Sequence, residues 1–214
     1  MKRREFSVVA AAGALGLALP ACAQDDKPRE GKEYIKLDAP VAVDAPAGKV
    51  EVIEFFWYSC GHCNAFEPRL EAWIKGLPKD VAVRRVPVAF RADFVPQQRL
   101  FYTLEAMGKV EELHRKVFYA IHVEKQNLSA EPAITAWAEK NGLDKAKFTE
   151  QFNSFGVATK ARKAAQLQDA FKIQGVPSLG IAGRYYTDGT LGGGSMDGAL
   201  KVADALIAQS RKAK

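Results

Sequence analysis

Cysteine is nearly absent from this chain, with three residues in 214. Cys22 falls in an N-terminal segment that reads as a leader, so Cys60 and Cys63 are the only cysteines of the body. A bridge between them would close a very short loop and restrain the unfolded chain little. A structural zinc needs four ligands, which two thiols cannot supply. Methionine is equally scarce; Met1, Met107 and Met196 form no cluster of soft ligands beside the cysteine pair. No basic stripe interleaved with aromatics occurs, which argues against a nucleic-acid surface. The formal charge is +6. Setting aside residues 1–23 leaves 28 basic and 24 acidic residues, and Arg211, Lys212 and Lys214 hold three of the basic ones. No internal repeat and no long low-complexity stretch is found. What remains is a mildly basic protein with enough apolar residues for a sizeable core.

Residues 1–23 read as a secretory signal peptide. Lys2, Arg3 and Arg4 form a basic start, residues 8–19 a short apolar run, and Ala21-Cys22-Ala23 a small-x-small cleavage site before Gln24. The run is too short to span a bilayer comfortably. Arg3-Arg4-Glu5-Phe6 resembles part of a twin-arginine signal, and Leu19-Pro20-Ala21-Cys22 a lipoprotein box that would anchor the chain through Cys22. Each route places the protein outside the cytoplasm, where disulfides persist. Cleavage after Ala23 and a periplasmic location are the expectation.

Residues 24–48 are polar and rich in Pro, Asp and Lys, an N-terminal arm with a strand-like stretch at 34–37. Residues 50–58 are dense in Val, Ile, Phe, Trp and Tyr and predict a buried central strand. From Cys60 to about Lys75, Phe66, Leu70, Trp73 and Ile74 recur at helical spacing, with Gly76 as the stop. Residues 81–88 predict a second strand with Pro87 near its end. Residues 96–172 then change character. Stripes at Leu100, Phe101, Leu104, Met107; at Leu113, Val117, Phe118, Ile121; at Ile134, Trp137, Ala138; and at Phe148, Phe152, Phe155 predict successive short helices, with Gly108 and Asn141-Gly142 as helix ends. Strand character returns at 176–181, Ala182-Gly183 turns the chain into Tyr185-Tyr186-Thr187, and Ser195 is a candidate N-cap for a last helix.

The chemistry centres on Cys60-Gly61-His62-Cys63. A cysteine that follows a strand and opens a helix meets unpaired N–H groups and a favourable dipole, which lower a thiol's pKa. His62 can add a donor or positive charge. Cys63, one turn along, can attack a mixed disulfide on Cys60, the arrangement that thiol–disulfide exchange needs. The bland alternatives are an inert short disulfide or half of a metal site. Val176-Pro177 is the second signal: a proline at a strand start is poorly tolerated, and a cis bond there would expose the Val176 backbone to a bound peptide. An ordinary trans proline is the alternative.

The run Glu54-Phe55-Phe56-Trp57-Tyr58-Ser59-Cys60-Gly61-His62-Cys63, with Gly175-Val176-Pro177-Ser178 downstream, resembles the DsbA family of periplasmic dithiol oxidases. The resemblance implies an α/β, thioredoxin-like fold with an inserted all-helical subdomain. The domain division would be 49–92 with 173–214 for the thioredoxin-like part and 93–172 for the insert. It further implies Cys60 as nucleophile, Cys63 as resolving thiol, Pro177 as a cis-proline facing them, and reoxidation by a membrane DsbB-like quinone-linked oxidase. The prototype carries Cys-Pro-His-Cys; Gly61 here gives the dipeptide of protein disulfide isomerases, which leaves the redox potential open.

Glu54 shares a strand face with Val52 and Phe56, and a buried carboxylate costs several kcal/mol (order of magnitude) unless paired. Proton exchange with Cys63, which the resemblance supports, is one reading; an ion pair with Arg85 on the neighbouring strand is the other. His114 and His122 lie on helices with no third ligand and read as packing residues. Phe94, Phe101, Phe118, Tyr119, Trp137 and Phe152 read mostly as core. Gly192-Gly193-Gly194 lacks the lysine of a phosphate loop and reads as a turn.

The expected activity is thiol:disulfide oxidoreduction. A thiolate of a newly exported, cysteine-containing polypeptide attacks the Cys60–Cys63 disulfide, and a second substrate thiol resolves the mixed disulfide. No cofactor, metal or nucleic acid is required, and a monomer is expected. The rivals are an exported reductase or isomerase, for which the short arm at 24–48 offers no dimerisation domain, and a periplasmic Cu(I) carrier using Cys60, Cys63 and His62.

Overall fold

A computed structural model describes residues 27–212. The expected leader, its cleavage site, Cys22 and the last two residues lie outside the described residues. The element order is β1 (Ile35–Lys36), β2 (Val50–Phe56), α1 (Gly61–Gly76), β3 (Val81–Pro87), α2 (Val95–Ala106), α3 (Val110–His122), α4 (Glu131–Lys140), α5 (Lys145–Phe152), α6 (Phe155–Ala170), β4 (Ser178–Ile181), β5 (Tyr185–Asp188) and α7 (Met196–Lys212).

The strands form one sheet in the order β1-β5-β4-β2-β3. Every residue of β2 is buried, Glu51 and Glu54 included, as its density of Val, Ile and Phe predicts for a strand covered on both faces. It pairs parallel with β3, Glu54 opposite Arg85, and antiparallel with β4, Glu54 opposite Leu179. A parallel neighbour needs a crossover, and α1 supplies it. On one side Val50, Val52, Leu179 and Ile181 pack against Phe66 and Leu70 of α1 and Ala203 and Leu206 of α7. On the other, Ile53 and Phe55 join Leu100, Leu104, Phe118, Ile134, Phe148 and Phe171, so the helices between β3 and β4 share their core with the sheet.

The β4–β5 hairpin turns at Ala182 and Gly183, whose φ angles of 53° and 63° suit a tight hairpin turn. A Cβ at Gly183 would lie 2.1 Å from the Val41 carbonyl oxygen. That oxygen belongs to the N-terminal arm, which runs alongside and pairs its β1 with β5.

Three readings need correction. Phe155 does not continue the Phe148 and Phe152 stripe. That helix ends at Phe152 with Asn153 as its C-cap, and Ser154 caps the next one, its Oγ accepting the Val157 N–H at 3.2 Å, so Phe155 opens α6 and is 81% exposed. Tyr119, grouped with core aromatics, is 55% exposed on the outer face of α3. The strand expected from residue 176 begins at Ser178, because Pro177 has no N–H to give a ladder.

Candidate active site

β2 ends at Phe56, and the turn closed by the Cys60 N–H on the Trp57 carbonyl (3.0 Å) delivers Cys60 to the N-cap of α1. Its carbonyl accepts the Asn64 N–H at 3.1 Å, the first helical bond. The Cys63 N–H, unused by the helix, donates to the Cys60 sulfur at 3.2 Å. Cys60 is partly exposed and Cys63 buried, and both are free thiols.

The two sulfurs are electrostatically unlike. The Cys63 thiol, then the amides of Cys63 and His62 and the nearby His62 ring, bring the Cys60 thiol down from 9.0 to about 6. Burial, then the neighbouring Cys60, push Cys63 well above its ordinary range. Near neutral pH one sulfur is a thiolate and the other a thiol, an asymmetry suited to thiol–disulfide exchange.

The Val176–Pro177 bond is cis. The Val176 carbonyl faces the sulfur, accepting from the Cys60 thiol at 3.4 Å. The loop is tied down by Ser178, whose hydroxyl donates to the Gly175 carbonyl at 2.6 Å. An open cleft of about 620 Å³ beside this loop is lined by His62, Phe66, Val176, Pro177, Gly189 and Met196 among others. The glycine-rich segment forms its far wall. Its Gly192 packs so closely on α7 that a Cβ at Gly198 would lie 1.7 Å from the Gly192 carbonyl oxygen. Gly61 leaves open space where a Cβ would be.

Beneath the cysteines lies a buried polar cluster. Glu54 is fully buried, and the Arg85 Nε lies 3.3 Å from its Oε2. The guanidinium is aligned instead with Glu67 of α1, donating to Oε1 at 3.3 Å and Oε2 at 2.9 Å. Neither Glu54 oxygen receives an aligned hydrogen bond. Burial and then the Glu67 charge outweigh Arg85 and hold the Glu54 carboxyl well above the usual carboxylate range. Burial opposes the Glu67 charge too, but His114 and Arg85 overcome it and keep Glu67 below that range. The ion pair expected as the alternative for Glu54 is therefore present. The Glu54 charge bears on Cys63.

Three residues around the loop were not singled out for the site. Gln97, 2% exposed, accepts the Ser59 N–H at 3.1 Å and donates to the Ser59 hydroxyl at 2.7 Å and the Leu128 carbonyl at 3.1 Å. His114 and His122, read as packing residues, hold the two polar ends of Tyr58. His114 Nδ1 lies 2.9 Å from its hydroxyl and His122 Nε2 lies 2.8 Å from its carbonyl oxygen. All three histidines of the chain thus adjoin the active loop. Trp57 stacks on Phe94 with ring centroids 3.8 Å apart. Among the described residues no group of three or more His, Cys, Asp or Glu could hold a metal ion.

The DSBA-like thioredoxin domain model matches residues 85–201, more than half of the chain. The thiol:disulfide interchange protein DsbA of Bordetella pertussis is 44% identical over 212 residues, 99% of this chain and 100% of that protein. The chain belongs to the DsbA family. The DsbA of Pseudomonas aeruginosa is 39% identical over 207 residues, 97% of this chain and 95% of its own. A crystal structure of Pseudomonas aeruginosa DsbA superposes with a TM-score of 0.80 at 40% identity, covering 86% of this chain and 94% of that one. The oxidoreductase DsbA from Xylella fastidiosa gives 0.80 at 27% identity, over 86% and 98%. The DsbA member described here is a thiol:disulfide oxidoreductase with the thioredoxin-like fold of its family. The resemblance read from the two motifs is this relationship.

Proposed function

We propose that Cys60 is the nucleophile, Cys63 its resolving partner, Glu54 the proton carrier for Cys63, and Val176–Pro177 the edge against which a client peptide lies. The single observation that carries this reading is the Cys60 sulfur at the N-cap of α1, held at 3.2 Å by the Cys63 amide and partly open to solvent. In the oxidised protein a client thiolate attacks the Cys60 sulfur. Its electron pair forms the new S–S bond, and Cys63 leaves with the pair of the old one. Glu54 gives Cys63 a proton. A second client thiolate then attacks the client sulfur of the mixed disulfide, and Cys60 leaves as the stabilised thiolate. The client is oxidised by two electrons and the Cys60–Cys63 pair reduced. No bound cofactor enters these steps.

The clients on this reading are newly exported polypeptides with cysteines, met in the periplasm after removal of residues 1–23. A membrane DsbB-like, quinone-linked oxidase returns the pair to the disulfide. The helices of residues 93–172 form the insert that covers the active-site end.

The test is oxidation of a dithiol peptide by the oxidised protein, followed by mass and free-thiol count. One disulfide gained per protein disulfide lost is the expected result. Cys60→Ser abolishes it, and the reduced Cys63→Ser variant, offered the disulfide form of the peptide, attacks it through Cys60 with departure of one peptide thiol and holds the peptide there as a mixed disulfide. A mixed disulfide that forms on Cys63 in the reduced Cys60→Ser variant but not on Cys60 in Cys63→Ser overturns the assignment.

A further inference from the structure

His114 stands in the middle of a buried chain of polar contacts whose far end is Glu54. It is 4% exposed. Tyr58 from the turn after β2, Glu67 and Glu71 from α1 and Arg85 from β3 are the titratable or charged groups around it. The rings of Phe56, Phe101 and Phe118 enclose the rest. Its Nε2 lies 3.0 Å from Glu67 Oε1. Glu67 is ionised, so Nε2 carries the hydrogen and donates. Nδ1 then accepts from the Tyr58 hydroxyl, and the imidazole is neutral. Burial supports this, lowering the basicity of His114 more than Glu67 raises it.

Arg85 is shared. Its aligned bonds go to Glu67, while Glu54 has only the 3.3 Å approach of Nε. Two buried carboxylates therefore compete for one guanidinium. The donor from His114 satisfies part of the demand of Glu67.

We propose that His114 is a positioning residue for thiol exchange: by donating Nε2–H to Glu67 it leaves Arg85 shared with Glu54, and so keeps Glu54 able to take the proton of Cys63. This rests on Glu54 being that proton carrier. The step concerned is release of a mixed disulfide by Cys63. The sulfur of Cys63 forms a bond to Cys60, the thiol on Cys60 leaves with the electron pair of the broken S–S bond, and the Cys63 proton passes to the Glu54 carboxylate. Without the His114 donor, Arg85 is drawn to Glu67, Glu54 is harder to ionise, and the step moves to higher pH.

The experiment follows the release of glutathione from a Cys60–glutathione mixed disulfide as a function of pH in the full-length protein. Four single variants are compared with the parent: Glu54→Gln, His114→Phe, His114→Gln and Glu67→Gln. His114→Phe should displace the profile upward by about one unit, roughly tenfold slower release on its lower-pH limb. His114→Gln, which keeps an N–H in the place of Nε2, should restore most of the rate. Glu67→Gln removes the competitor and should displace the profile downward. A His114→Phe profile that superimposes on the parent while Glu54→Gln slows release overturns the role of His114 alone. Release unaffected by Glu54→Gln overturns both this proposal and the assignment of Glu54. Should His114→Phe fail to fold, Glu67→Gln decides: no displacement, or an upward one, contradicts the sharing of Arg85.

Discussion

The amide of Cys63 points at the sulfur of Cys60 across 3.2 Å, while the Cys63 side chain itself is buried. One residue thus stabilises its partner's thiolate through its backbone and hides its own sulfur from solvent. The helix start makes this possible, because its first N–H groups have no carbonyl to bond. A thiolate there is a charged acceptor for those donors, and such bonds are about twice as strong as neutral ones.

Thiolate absorbance of the reduced protein near 240 nm should therefore rise with a midpoint at about 6. The Cys63 thiol is the largest single contributor to that lowering. Cys63→Ala should accordingly move the midpoint up, yet leave it below 9.0 because the amides remain. A midpoint near 9 in the parent protein would remove the basis for Cys60 as nucleophile.

The same shift makes the stability of the reduced form depend on pH. The folded Cys60 thiol ionises at about 6 and the unfolded one at its ordinary value of 9.0. Its contribution is absent below pH 6, grows as pH rises, and is complete above 9. Cys63 has the opposite sign, since its folded pKa is raised, and it removes stability only above about pH 9. Melting temperatures of the reduced and oxidised forms should thus move in favour of the reduced form between pH 6 and 9. A difference that stays flat over that range would contradict the assignment of the two sulfurs.

Gly61 is the first residue of α1, and nothing lies within 4 Å of a Cβ built there. Cys60 before it has φ −80° and ψ 114°, the extended backbone that precedes a proline without strain. Gly61→Pro should fold normally and gain roughly 0.4–1 kcal/mol through the unfolded chain. Denaturant titration of the oxidised protein measures this. A loss larger than the expected gain would mean that the Gly61 N–H is used.

Gln97→Ala removes three hydrogen bonds and leaves the Ser59 N–H, beside Cys60, without its partner. A stability loss of about 1–3 kcal/mol is expected. Release of the loop should also raise the Cys60 midpoint, which the absorbance titration reads in the same sample. Loss of stability with an unmoved midpoint would confine Gln97 to a structural role.

The parts of the site that were legible in the sequence are those carried by local pattern. β2 reads as buried because five of its seven residues from Val50 to Phe56 are Val, Ile or Phe, and α1 starts where strand residues give way to Cys60. Glu54 was visible because a charge in such a run demands a partner, and Arg85 was within reach of parallel pairing. Gln97 and His114 were not. The partners of Gln97 lie 31 and 38 residues away and those of His114 47 and 56, so only tertiary packing brings them to the loop. Phe155 failed for a local reason, since the helical spacing that joins it to Phe152 ignores the Ser154 cap between them.

The central claim is that the disulfide form of the Cys60–Cys63 pair is the working one, and its equilibrium potential against glutathione tests this most directly. Prototype values for other proteins set the scale: about −120 mV for DsbA, about −180 mV for protein disulfide isomerase and about −270 mV for thioredoxin. A thiolate stabilised at Cys60 favours the reduced form and predicts a potential between the first two. A potential near the third would mean that the dithiol is the stable donor, and the protein would then be a reductase or isomerase rather than an oxidase.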